Sequence, residues 1–141
     1  MDRDWKTKWA EALRSGKYEQ AEGRLHVKPA GDVVGGHCCL GVLTDVYCKE
    51  TGRTWAEVLE GRSVHTVAYL PHEVSAAVGF TSGELDLHGT DGVDIVICPE
   101  ADELVGSLDH STASAVNDNY KRGHTKKGSF NDIADAIEEN L

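Results

Sequence analysis

The sequence is poor in aromatic residues, methionine and proline, and it has no long apolar run. Two Phe, three Trp and four Tyr are spread over 141 residues, with one Met and three Pro. The core must therefore be filled mainly by Leu, Val and Ala around the tryptophans. No apolar stretch approaches the ~20 residues of a membrane span. The opening Met1-Asp2-Arg3-Asp4-Trp5 is too charged for the apolar segment of a secretory signal. Both absences predict a soluble protein that stays in the reducing cytosol, with no membrane partner. Cations are also scarce: 14 Lys and Arg against 24 Asp and Glu, a net charge of −10. That balance opposes general nucleic-acid binding, which needs clustered positive charge. The acids are scattered rather than gathered in runs, which argues against mimicry of DNA.

Several chemical signatures are missing as well. The four cysteines (Cys38, Cys39, Cys48 and Cys98) include no C-x-x-C pair, and no H-x-x-x-H occurs. His37-Cys38-Cys39 followed by Cys48 offers soft ligands, but helical neighbours diverge by ~100° per residue, so ordinary packing is expected and no metal. Without an export signal the thiols are expected to stay reduced and buried. A G-x-x-x-x-G-K-[ST] loop is absent, which excludes a P-loop nucleotidase. No motif requires a cofactor.

What is present reads as one domain, the size expected for 141 residues. Trp5, Trp9, Ala12 and Leu13 share a helical face, which predicts a helix over residues 4 to 15 capped by Asp4 and ended by Gly16. Leu25 and Val27 alternate, Pro29-Ala30-Gly31-Asp32 forms a turn and Val33-Val34 returns, a short hairpin. A second helix is predicted from about Cys38 to Glu50, with Cys39, Val42, Leu43, Val46 and Tyr47 on one face and Gly52 at its end. Thr54-Trp55-Ala56-Glu57 has capping-box spacing and opens a brief third helix.

Val64 to Tyr69 alternates weakly as a strand, and Pro71 starts a short helix that Gly79 closes. Glu84 to Leu87 and Val93 to Cys98 flank the turn Gly89-Thr90-Asp91-Gly92 as a second hairpin. A helix interrupted near Gly106 is expected over residues 100 to 120. Ser129 caps a last helix whose stripe is Phe130, Ile133, Ala134 and Ile137. Five to six helices with one or two short antiparallel hairpins define an α+β fold in a single compact domain.

Certain segments are distinctive: Ser15-Gly16-Lys17-Tyr18-Glu19-Gln20, then Cys38-Cys39-Leu40-Gly41-Val42-Leu43-Thr44-Asp45, Tyr69-Leu70-Pro71, Asn117-Asp118, and Ser129-Phe130 leading to Ile133-Ala134-Asp135 and Ile137-Glu138. In this order they resemble a widespread family of small uncharacterised proteins of tailed bacteriophages, and the resemblance spans nearly the whole chain. Thr44 stands where that pattern usually has a third cysteine, and the stretch from 119 to 128 is longer. The resemblance implies a setting, the cytosol of a host bacterium, and a counter-defence or host-takeover role exercised by binding. It implies no chemical mechanism.

Three functional readings follow. Lys121-Arg122-Gly123-His124-Thr125-Lys126-Lys127-Gly128-Ser129 gathers cations at the start of the last helix, where backbone N–H groups and the helix dipole favour a phosphate. With Gln20, Asn117 and Asp118 from the body, Lys121, Arg122, Lys126, Lys127 and Ser129 form a candidate site for a small phosphorylated ligand, such as a signalling nucleotide. The same residues also read as a solvated loop. The second reading is an inhibitor that engages a host protein through its acidic surface. The third is a cysteine hydrolase. Cys38 or Cys39 at a helix N-terminus would be its nucleophile, and His65, His72 or His88 its base. Cys39 also falls on the apolar face, which favours a packing role. Asp45 lies on an apolar-patterned helix and needs a partner, for which a backbone N–H or Asn117 would serve. Nothing in the sequence excludes a homo-oligomer.

Overall fold

The computed structural model describes residues 1–32, 35–97, 112–119 and 129–141. In chain order these hold α1 (Arg3–Arg14), β1 (His26–Val27), β2 (Gly36–His37), α2 (Cys39–Thr51), α3 (Trp55–Val58), α4 (His72–Ala77), β3 (Leu85–Leu87), β4 (Val93–Ile95), α5 (Ala113–Asn119) and α6 (Phe130–Asn140). Six α-helices and two antiparallel strand pairs, β1–β2 and β3–β4, among the described residues make an α+β fold. The buried apolar cluster draws on all six helices.

The long helices follow their apolar period. Trp9 and Leu13 of α1 are buried, with Trp5 and Ala12 partly so. Asp2 rather than Asp4 occupies the cap position, and its carboxylate makes no cap hydrogen bond. Its backbone N–H instead donates to Val78 O at 2.8 Å, tying the start of α1 to the end of α4. At the other end, Arg14 reaches across to α6, donating to Glu138 Oε1 at 2.6 Å and pairing with Asp135. In α6 the Ser129 hydroxyl accepts from the Asp132 N–H, and Phe130, Ile133, Ala134 and Ile137 are buried as the stripe predicts. Thr54 and Glu57 form both halves of the capping box that starts α3.

Helix α2 is the centre of the packing. Residues Cys39 to Thr44 are all buried, together with Val46, Tyr47 and Cys48. The helix therefore has almost no solvent face in its first turns, which explains its lack of charge before Asp45. Its first turn is gripped from two sides. The Trp9 indole N–H donates to Cys39 O at 2.9 Å. On the other side, the chain at Leu25 crosses so closely that a Cβ on Gly41 would lie 1.8 Å from Leu25 O. Glycine at 41 is thus demanded by a backbone-to-backbone approach.

Two strand expectations need correction. The first hairpin returns through Gly36-His37, not Val33-Val34: His26 pairs with His37 and Val27 with Gly36. Backbone bonding from the preceding loop selects this register. His37 N–H donates to Glu19 O and Ala21 N–H donates to His37 O, each at 2.9 Å. Residues 33–34 lie outside the described residues. The stretch Val64 to Tyr69 forms turns instead of a strand. Its ordering contacts include a bond from Leu25 N–H to Val67 O, and Leu70 beyond it bridges Val93.

Helix α4 begins directly after Pro71, which serves as its cap residue, and Gly79 follows its end at φ +74°. The second hairpin pairs Leu85 with Ile95 and Leu87 with Val93. The helix expected over residues 100 to 120 is described only over α5. The break expected near Gly106 lies outside the described residues, as does Cys98. Among the described residues no helix is long and apolar enough to cross a membrane.

The crossing at Gly41 yields a direct test. Gly41→Ala is expected to destabilise the fold by about 3 kcal/mol or more, because neither backbone can yield without shifting α2. Urea unfolding against the wild type measures it.

Candidate functional site

Gln20, Asn117 and Asp118, read from the sequence as ligand contacts, do come together, and they hold the fold. Asn117 is fully buried. Its Oδ1 accepts from Gln20 Nε2 at 3.0 Å and from the Cys39 N–H at 3.3 Å, while its Nδ2 donates to Ala21 O at 2.6 Å. Gln20 Oε1 accepts from the Phe130 N–H at 3.1 Å, and Asp118 Oδ1 accepts from the Gly23 N–H at 2.8 Å. Among the described residues no buried side-chain nitrogen or oxygen lacks a partner. The carboxamides thus cross-link the 20–23 loop to the starts of α2 and α6.

The basic cluster divides differently. Lys121, Arg122, Lys126 and Lys127 lie outside the described residues, while Ser129 is in place as the cap of α6. Two of the first-turn N–H groups that an anion would use there are already engaged, Phe130 by Gln20 and Asp132 by Ser129.

The described thiols, Cys38, Cys39 and Cys48, are buried. Cys38 is the N-cap of α2, its sulfur accepting from the Gly41 N–H at 3.4 Å. Cys39 donates its S–H to Ala113 O at 3.3 Å. Burial pushes Cys38 up to about 12 and raises Cys39 well above the usual thiol range, outweighing the helix N-terminus. Cys38 borders a cleft of about 210 Å³ with Arg24, Tyr69, Ser114 and Asp118. None of the proposed bases is hydrogen-bonded to a thiol among the described residues. His72 contacts Gly89 O at 2.6 Å, His88 stacks on Tyr69 with centroids 3.9 Å apart, and His65 faces His26.

A different set of residues lines a second, open cleft of about 360 Å³, between the 17–19 loop, the β1–β2 hairpin and α2. Asp45 anchors it. Its Oδ2 accepts from the Tyr18 hydroxyl at 2.5 Å and pairs with Lys49 at 2.8 Å, and its Oδ1 accepts from the Trp55 indole at 3.0 Å. These are the partners of Asp45, rather than Asn117 or a backbone N–H. Burial would raise the Asp45 carboxyl, but hydrogen bonds from Lys49, Tyr18 and Trp55 prevail and hold it below its ordinary value. Tyr18 moves up, through burial and then its bond to Asp45, so it stays a phenol and a donor.

Two imidazoles, His26 and His37, line the cleft beside this anchor, and His65 packs against His26. His26 and His37 have centroids 4.6 Å apart, His26 and His65 5.1 Å, and the His26 and His65 Nδ1 atoms are 3.4 Å apart. His37 also meets Tyr18 edge-on at 5.3 Å. Burial, then the neighbouring His26, lowers His37 to about 4. Burial and then His65 lower His26. Among the described residues no three His, Cys, Asp or Glu side chains converge on a metal position. The available signal for this cleft was that Lys17-Tyr18 and Asp45 both belong to segments that carry the family resemblance. The sequence points His37 and His65 to other roles and His26 to none, and the hairpin and the turn after α3 bring the three together.

The architecture is thus a helix-rich α+β fold with a histidine-lined cleft on the flank of its central helix. A family model described as a domain of unknown function, DUF8296, matches residues 1–141, and the chain belongs to that family. No curated protein and no solved structure matches it.

Two outcomes follow. Cys38, Cys39 and Cys48 should resist iodoacetamide in the native protein at neutral pH and react once urea unfolds it. Native labelling at the rate of a free thiol would restore the hydrolase reading. Separately, His37 takes its proton more easily in the unfolded chain. Stability should therefore fall with pH from about 6.5 towards 4, by on the order of 1 kcal/mol at this half-buried position. His37→Asn should flatten that part of a Tm-against-pH curve.

Proposed function

We propose that this is a bacteriophage accessory protein that acts by binding, and that it sequesters a small phosphorylated ligand as part of counter-defence. The phage setting rests on the sequence resemblance alone. The observation that carries the binding reading is the 360 Å³ cleft, within the range of small-ligand sites, which sets Lys17 and Lys49 beside aromatic and imidazole rings. Rings of this kind accept a base or a sugar face, and the ammonium groups suit a phosphate. Among the described residues lining the cleft, the phenol and the carboxylate are tied to each other, and the buried Cys38 and Cys39 are not part of the lining. Binding accounts for these features where catalysis does not.

The 121–129 segment remains part of the proposal as a second source of cations. Native mass spectrometry of the purified protein, then titration with a panel of mono-, di- and cyclic nucleotides, tests the reading. The double variant Lys17→Ala with Lys49→Ala is expected to weaken a detected ligand at least about tenfold. Lys126→Ala with Lys127→Ala measures the share of the basic segment. A protein that arrives bare and binds no phosphorylated compound would overturn the reading in favour of a host-protein partner for the acidic surface.

A further inference from the structure

Charge balance in the cleft leads one step beyond binding. Lys49 is neutralised by Asp45 at 2.8 Å, and Lys17 shares the lining with Glu19. The other titratable lining groups are Tyr18, held as a phenol, and the imidazoles of His26 and His37. Among the described lining residues the charges therefore balance, and an anion meets rings and donors but no net positive charge. Its reserve of positive charge lies in the imidazoles.

We propose that an anionic group entering this cleft is bound together with a proton, taken up by the His26–His37 pair. The inference rests on the binding reading above and names its regulation. The two rings are close enough for a charge on one to oppose a charge on the other. His26 and His37 are directly paired across the β1–β2 ladder, so both rings stand on one wall with centroids 4.6 Å apart. Every neighbouring charge has a defined effect. His65, from the turn after α3, opposes a charge on His26, and Lys49 on α2 opposes one on His37. Asp45 on α2 favours both, but its oxygens are already engaged by Tyr18, Trp55 and Lys49. Close packing of the two rings disfavours two protons at once, so one proton per anion is the expected stoichiometry.

An anion beside either ring adds the missing opposite charge and favours imidazolium. By linkage, affinity must then rise as pH falls, approaching tenfold per unit while the free pair is neutral and the bound pair charged.

Inorganic sulfate is the probe, because it stays a dianion from about pH 8 down to about pH 3.5, a span that includes the lowered titration of His37 at about 4. The imidazole signals of the whole wild-type protein are followed by NMR against pH, in sulfate and in chloride of matched ionic strength. The proposal expects the apparent pKa of the His26–His37 pair to rise by about one unit in sulfate. Backbone signals of Tyr18, His37 and Lys49 should shift in the same titration. Backbone shifts there with unmoved imidazole titrations would overturn the proton coupling and leave the binding reading standing. Shifts scattered over surface lysines, with none in the cleft, would overturn both.

Discussion

The fold hangs on a buried carboxamide. A side-chain amide taken out of water costs about 1–3 kcal/mol for each group left unpaired. Asn117 avoids that cost only if Gln20, the Ala21 carbonyl and the Cys39 N–H all stand in fixed places around it. Satisfying it therefore aligns the loop after α1 with the first turn of α2, and Gln20 passes the constraint on to the first residue of α6. Tyr18 lies two residues before Gln20, and Asp45 lies six residues after Cys39. Their meeting in the cleft depends on the register that the amide sets.

One effect, burial, also sets the charge state of the helix-start thiols and of the cleft imidazoles. It disfavours whichever form is charged, so it raises the thiols of Cys38 and Cys39 and lowers the imidazoles of His26 and His37. A cysteine enzyme needs the opposite, a stabilised thiolate beside a basic imidazole. Helix position alone pointed to such a thiolate at Cys38. The N-terminal N–H groups do act on Cys38, but desolvation at a site 1% exposed outweighs them.

Where a segment had to hide one face, the sequence was legible. The periods of α1, α2 and α6 mark their buried stripes, the capping box at Thr54 is formed, and the α+β class follows. The misread places are those where backbone bonds, not side-chain patterning, decide. Gly36-His37 carries no alternation, yet it is the returning strand, because the loop at Glu19 to Ala21 bonds to it. Val64 to Tyr69 alternates weakly, but a bond from the Thr66 N–H to Ser63 O closes a turn at its start. In the site, the polar residues singled out from the sequence are engaged in hydrogen bonds. Gln20 and Asn117 turned out to be spent on other parts of the chain, while Asp45 organises the cleft. Spatial convergence of His26, His37 and His65 leaves no mark in the order of residues.

The walls of the cleft differ in how they are held. Helix α2 is buried through its first turns, pinned by Trp9 and crossed by the chain at Leu25. The opposite wall is a ladder two residues long on each side, backed by a few bonds to the loop at Glu19 to Ala21. Opening free energy scales with the contacts that must be broken, so the two walls belong to different tiers of local stability. Of the two walls, the hairpin is therefore the one whose opening breaks fewer contacts, and the Asp45 carboxylate belongs to the better-held side.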